Sequence, residues 1–449
     1  MSNIQSNTAG VGSIKLSAGI SPFNFWTYMY ASFICIGMMS TMNFAQGYIL
    51  TEHLHVPPQE VGSLSGRLTG LTEIVGFLLI WPFGMLADRT GRRPIIIFGI
   101  LTIGLVYAIY PWATEPFHLY MFRLLYGVGV AATAAMTATI QNDYPQERSR
   151  GKLIGASAVF NGLGIVFASN LVGRMPSILR DQGVDPVAAG TIAYTSAALL
   201  CLISALWFRF GLKGGTPAAP QARPPYRQLL WSGLKAARNP RIALGYLSAM
   251  TARGDVVIMG TFVSLWSITA GGAAGLNPGQ AMARAATSFI VIQVAAIVWS
   301  FVFGGIIDRI NRVSALAMAM AIAAGGYCSM AFITSPMDIR MAPVFAIVGA
   351  GMSAAMMATF AVIGQEARPE ERGAVTGTMS MFGALGIILA AVIGGQIFDS
   401  IAPWAPFVLV GSAQAVLMIG AIAIRVLAPG ESGTPTEKRP SATAAAKAG

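Results

Sequence analysis

Residues 84–94 read GMLADRTGRRP and residues 304–312 read GGIIDRINR. Laid over one another, they match Gly84 with Gly304, Asp88 with Asp308, Arg89 with Arg309 and Arg92 with Arg312. Each stretch closes a long apolar run and sets its basic residues just beyond it. A second pair follows the same logic: RGKLIGASAVFNGLGIVFASNLVG from Arg150 aligns with RGAVTGTMSMFGALGIILAAVIGG from Arg372. Identities fall at Gly155/Gly377, Phe160/Phe382, Leu163/Leu385, Gly164/Gly386 and Gly173/Gly395, and the same offset pairs Gly127 with Gly349 and Gly129 with Gly351. Chance Gly and Ala matches are easy in a sequence of this kind, but one offset holding across separate segments is not. The chain is one half written twice.

Composition says what medium those halves occupy. Of 449 residues, 55% are hydrophobic and 10% charged, with a mean hydropathy of +0.63, whereas a soluble domain is about 25% charged. Twelve apolar runs, from Asn24–Tyr48 to Trp404–Leu427, each approach the ~20 residues that a bilayer requires. The expectation is an all-α membrane protein with twelve transmembrane helices, arranged as two pseudo-symmetric six-helix bundles around a central cavity. Its parts are an N-terminal tail (1–23), a first bundle (24–212), a linker (213–240), a second bundle (241–427) and a disordered tail (428–449). The net charge of +11 does not point to nucleic acid, because Lys and Arg sit between apolar runs and not on one watery face.

The distribution of charge gives an orientation. With the first end inside, the inner loops hold most of the Lys and Arg, against Arg174, Arg180, Arg284 and Arg340 outside. By the positive-inside rule both termini face the cytoplasm, which predicts an inner-membrane protein. The first run is long and lacks a small-residue cleavage site, so it is expected to remain as an anchor. Cys35, Cys201 and Cys328 fall in separate runs without disulfide or metal spacing. The histidines suggest no metal site, and no phosphate-binding loop is present. Neither an enzyme nor an ATP-driven pump is indicated, and no cofactor is expected.

At this point GMLADRTGRRP resembles the signature loop between the second and third helices of the major facilitator superfamily. RLLYGVGVAA, from Arg123, resembles that superfamily's second motif. The resemblance implies alternating access, in which two halves rock around a site near midplane. It implies that Asp88 contacts the start of the eleventh helix, near Arg372 and Gly373, as a latch between halves. Gly84, Asp88, Arg89, Gly91 and Arg92, with Asp308, Arg309 and Arg312, are the latch candidates. It also implies a part in proton coupling for Arg123. The helix-five proline of drug/proton antiporters is missing between Gly155 and Gly173, as is the Asp-rich first helix of the aromatic-acid symporters.

Five charges remain inside the apolar runs: Arg67, Glu73, Arg123, Arg253 and Asp255. Each costs about 2.5–3.5 kcal/mol at a helix centre, so each should face a partner or a watery cavity. Arg253, Asp255 and Glu73 fall near midplane. Arg253 and Asp255, two residues apart, point about 200° away from one another on a helix. One of them is expected to face the cavity and the other to reach a partner such as Glu73 or Arg123 on the opposing half. The expected substrate-binding set is Arg253, Arg123, Asn43, Gln46, Tyr126, Asn161 and Gln293, and the expected proton-coupling set is Asp255, Glu73 and Arg123. Three arginines against two acids favour a small organic anion. The expected partners are a small-molecule substrate, protons and the lipid bilayer, with the chain acting as a monomer. Proton-driven efflux of lipophilic compounds and a transporter-like receptor or scaffold are the alternatives. The receptor reading would want an extra soluble domain, and neither the linker nor the tail has the look of one.

Overall fold

The computed structural model describes residues 10–215, 226–368 and 371–427. The expected tail 428–449, the first nine residues and the middle of the linker lie outside the described residues. The first six spans are α1 (Pro22–Tyr48), α2 (Val61–Thr90), α3 (Arg92–Ile109), α4 (Pro116–Asp143), α5 (Arg150–Asp181) and α6 (Pro186–Gly211). The last six are α8 (Pro240–Ala273), α9 (Pro278–Ile307), α10 (Arg312–Ser329), α11 (Ala342–Glu366), α12 (Arg372–Ser400) and α13 (Ala405–Leu427). Twelve helices among the described residues are thus long and apolar enough to cross a membrane.

Local sequence sets where they start. Proline opens α1, α4, α6, α8 and α9, where its missing N–H costs nothing and its fixed φ suits the first turn. Ser21, Asp185, Asn239, Asn277 and Asn311 cap the helices that follow them, accepting from otherwise orphaned amides. Gly91 joins α2 to α3 at φ +93°, and a Cβ there would stand 2.5 Å from the Gly215 carbonyl oxygen.

The repeat read in the sequence is a repeat of packing. In the first half α1 packs on α5, α2 on α4, and α3 on α4 and α6. In the second, α8 packs on α12, α9 on α11, and α10 on α11 and α13. Between halves, α2 meets α12, α5 meets α9 and α1 meets α8.

Two segments depart from expectation. The linker carries α7 (Tyr226–Ala236), an eleven-residue helix packed on α12. The Tyr246 hydroxyl donates to the Gly233 carbonyl at 2.8 Å, and Gly233 leaves no room for a Cβ beside Thr378. The small residue and the acceptor carbonyl give α7 a docking face that a composition-based reading overlooks. The N-terminal tail also has structure, since β1 (Gly10–Val11) pairs antiparallel with β2 (Ile14–Lys15). Beyond them, Leu16 is fully buried against the α4–α5 connection, where the Ser17 amide donates to the Tyr144 carbonyl at 2.9 Å.

The halves meet at one end and part at the other. With twelve spans, the start of α1 and the end of α13 fall on one face, the basic one. Near the opposite face Gly66 lies so close to the Ala391 carbonyl that no Cβ fits, the Gly173 region packs on Phe44 and Ala286, and Phe44 lies 5.3 Å from Phe289 ring to ring. One buried apolar cluster runs through the first half and on into Phe262, Leu265, Trp266 and Phe289 of the second. Toward the basic face, the second half keeps its own cluster around Leu244, Phe303, Leu316 and Ala358. There Gly84, Gly151, Gly155, Gly305, Gly373 and Gly377 have open space where a Cβ would stand. The halves close on one another at the face opposite the basic one, and we read the space between them as a cleft open toward the basic face.

Candidate functional site

Arg123, on α4, is fully buried inside the first half. Its Nη1 donates to Asn43 Oδ1 at 2.8 Å, its Nη2 to Gln46 Oε1, and its Nε to the Tyr110 hydroxyl at 3.3 Å. The guanidinium carbon lies 5.5 Å from the Tyr126 ring centroid and 5.7 Å from that of Tyr110. Asn43 and Gln46 reach it together because a spacing of three puts them on one face of α1. Gln46 in turn donates to Ser65 Oγ on α2 at 3.1 Å. A guanidinium cannot lose its charge in a protein, so this shell of neutral acceptors and ring faces is what allows it to be buried.

The arrangement corrects part of the expected substrate set. Arg123, Gln46 and Tyr126 are covered in this conformation, and the Tyr126 hydroxyl donates to the Met38 and Met39 carbonyls at 3.2 and 3.1 Å. Asn43 remains half-buried and is the member of the group nearest the cleft. Asn161 is also half-buried, and with its amide oxygen and nitrogen exchanged it donates to the Ser157 and Ser32 carbonyls at 3.1 Å each. Gln293, on α9 one turn from Phe289, is 6% exposed and has no hydrogen-bond partner among the described residues.

Arg253 and Asp255 diverge, as their spacing requires. Arg253 is half-buried on α8, and its side chain lies along Gly383 of α12, where a Cβ would stand 3.3 Å from Nε. Glu73 is half-buried on α2, with Arg253 and Arg123 as the basic side chains near enough to act on it. Neither guanidinium closes an ion pair with it within 4.0 Å among the described residues. Asp255 is fully buried and looks the other way, accepting from Gln414 Nε2 of α13 at 3.0 Å. The expectation of a partner for it on the opposing half is therefore wrong. The face of α8 that carries Asp255 turns into its own bundle toward α13, and Arg253 lies along α12. Arg67 is exposed and donates to the Ser63 carbonyl at 3.2 Å.

The signature loops form matching ion pairs at the basic face. Asp88 pairs with Arg92 at 3.3 Å, and Arg92 also with Asp143 at 3.0 Å. Asp308 pairs with Arg312 at 3.2 Å. Arg89 and Arg309 are exposed. At the start of α12, Arg372 is exposed and donates to the Gly364 carbonyl at 3.4 Å, and Gly373 has open space beside it. The sealed end carries a different contact, which the sequence reading missed. Asp399, at the end of α12, accepts from the Gly62 amide at 2.9 Å and the Ser63 amide at 2.7 Å, at the start of α2. Nearby, Arg174 of α5 donates to Thr287 of α9 at 2.9 Å. Asp399 stands at the edge of its apolar run, where it reads as an ordinary loop acid. Gln414 and Tyr327 stand in no motif or spacing that sets them apart from the other polar residues of the runs.

Comparison with known proteins bears on the whole chain. The pattern of the Major Facilitator Superfamily matches residues 28–391. The magnetosome protein MamH of Paramagnetospirillum magneticum is 27% identical over 408 residues, covering 88% of this chain and 90% of that one. The magnetosome protein MamZ of Magnetospirillum gryphiswaldense is 26% identical over 429 residues, 90% of this chain but 63% of its own length. Among solved structures, the D323A mutant of the nucleoside transporter NupG superposes with a TM-score of 0.71 at 14% identity, covering 89% of this chain and 99% of that one. A bacterial homologue of the lysosomal transporter Spinster, inward-facing and unoccupied, gives 0.63 at 14% identity, with 90% and 96% covered. At such identities the structural likeness speaks for the fold alone.

Proposed function

The chain belongs to the major facilitator superfamily of transporters, and we propose that it is a proton-coupled carrier of a small organic anion. The observation that carries the reading is Arg253, half-buried on α8 and closing no ion pair within 4.0 Å among the described residues, with Glu73 of the other half as an acid that senses its charge. Arg123 keeps to its neutral shell inside the first half and Asp255 is turned away, so Arg253 has no counter-charge once Glu73 is protonated. A carboxylate-bearing solute supplies the missing negative charge and offers Arg253 two oxygens for a bidentate contact.

Glu73 is the proton carrier in this reading. When it is ionised it competes with the substrate for Arg253, and when it is protonated it releases the guanidinium. Proton and anion therefore bind together and cross together, which is symport. Asn43 and Gln293 supply neutral contacts in the cleft, and the shell of Arg123 transmits a change at Asn43 to α1, α2 and α4 at once. With the basic face in the cytoplasm of an inner membrane, the conformation seen is inward-open, and a single chain suffices for the cycle.

Proteoliposomes loaded with a carboxylate and diluted into trace label test the proposal. Exchange in the wild type that vanishes in Arg253→Ala supports it. Exchange confined to lipophilic cations, unaffected by that substitution, replaces it with an efflux role.

A further inference from the structure

We propose that Asp255, Gln414 and Tyr327 form a binding site for a monovalent alkali cation inside the second half. The three residues come from α8, α13 and α10, and all three are fully buried. Asp255 Oδ2 is satisfied by Gln414 Nε2 at 3.0 Å, but Asp255 Oδ1, Gln414 Oε1 and the Tyr327 hydroxyl have no hydrogen-bond partner. Tyr327 belongs to the same cluster, because its Cβ packs beside Gly411, one turn before Gln414 on α13, and its ring senses the Asp255 charge. The groups that interact with Asp255 from the surrounding elements are Gln414, Tyr327 and the Val256 amide, and none of them is a cation.

With Asp255 ionised, hydrogen bonding within the cluster cannot close this account. Asp255 Oδ1 and Gln414 Oε1 are then both acceptors, and a single Tyr327 O–H can serve only one of them. With Asp255 protonated, its O–H donates to Gln414 Oε1 and the pair satisfies itself, so a response to alkali cations distinguishes the two states. A buried carboxylate without a counter-charge is also costly. One alkali cation meets all of these needs, since it is coordinated by hard oxygens and balances one carboxylate.

The first half gives the contrast. The offset that pairs Arg92 with Arg312 sets Cys35, Tyr107 and Tyr194 against Asp255, Tyr327 and Gln414. There the Tyr107 hydroxyl donates to the Met38 carbonyl at 2.7 Å, its ring packs on Tyr194 at 5.5 Å, and no carboxylate is present. The second half has exchanged a sulfur and a ring for two oxygen-bearing groups at the corresponding places.

The site follows from the packing of the second half, and only its use as a coupling site rests on the transporter reading. The test is the melting temperature of the full-length protein in detergent, at fixed pH and ionic strength, as choline chloride is replaced by lithium, sodium or potassium chloride. The proposal expects at least one alkali cation to raise Tm by about 1–2 °C per tenfold increase in concentration above its Kd. Asp255→Asn should abolish the rise. Tyr327→Phe, which removes only a hydroxyl, should move it to roughly tenfold higher concentration, one ligand contact being worth about that, and carries the test if Asp255→Asn does not fold. Equal melting points in all the salts overturn the proposal, as does a cation response that survives in both variants. No solute is present, so the result stands whether or not the organic-anion reading does.

Discussion

The Asp399 carboxylate bonds the Ser63 amide at 2.7 Å and the Gly62 amide at 2.9 Å, so the last turn of α12 caps the first turn of α2. The contact joins the two halves at the end where the cleft is sealed. It combines a charge-assisted hydrogen bond with a favourable helix N-terminus, and it must break when that end opens.

Removing the carboxylate should therefore bias the conformational equilibrium without touching the cleft. Asp399→Ala is expected to lose about 1–2 kcal/mol of preference for the observed state, a factor of roughly 5–30 in the ratio of states. Spin-label distances between the ends of α2 and α12 at the sealed face should show a larger open fraction. An unchanged distribution would reduce the contact to a surface detail.

Gln46→Leu should destabilise the fold. It takes an acceptor from a buried guanidinium and leaves Ser65 without its donor. A lost hydrogen bond to a charged group costs about 1.5–3 kcal/mol, which a lowered melting temperature would report. Arg253→Ala removes a half-buried group that closes no ion pair among the described residues, and it should melt close to wild type.

Gly383 controls where Arg253 lies. A side chain at Gly383 collides with the arginine stem, so Gly383→Val should reproduce the transport defect of Arg253→Ala while the guanidinium is still present. Full transport in that variant would place the working position of Arg253 elsewhere.

Glu73→Gln keeps the shape of the carboxyl and removes its titration. Uphill accumulation driven by a proton gradient should fall at least tenfold, a modest change by the standards of proton-transfer groups, whereas exchange without a gradient should persist. Accumulation that still follows the gradient would move proton coupling to another group.

Much of the fold was legible because membrane insertion writes itself into long apolar runs and because the halves share an offset. GMLADRTGRRP and GGIIDRINR carried the two-bundle plan, whereas the ion pairs Asp88–Arg92 and Asp308–Arg312 emerge only in the structure, the resemblance having pointed Asp88 at the start of α12. The midplane charges were also readable, since Arg253 and Asp255 had to diverge at a spacing of two. Which of them faced the cleft depends on how α8 is rotated against α12 and α13, and no local pattern encodes that rotation. For the same reason Tyr126 and Gln46 looked like cleft residues, although they serve as the shell of Arg123. Asp399 and α7 escaped notice because each draws its meaning from a distant partner, the start of α2 in one case and α12 in the other.

The central claim is that Arg253 makes the cleft selective for anions. The direct measurement is the melting temperature of wild type and Arg253→Ala in mild detergent with benzoate, succinate, tetraphenylphosphonium or glucose. Saturating ligand at about a hundredfold over Kd adds about 2.7 kcal/mol, a visible shift. The account predicts that a carboxylate raises the wild-type Tm and leaves the Arg253→Ala Tm unmoved. Stabilisation by tetraphenylphosphonium or glucose alone, equal in both proteins, would contradict it.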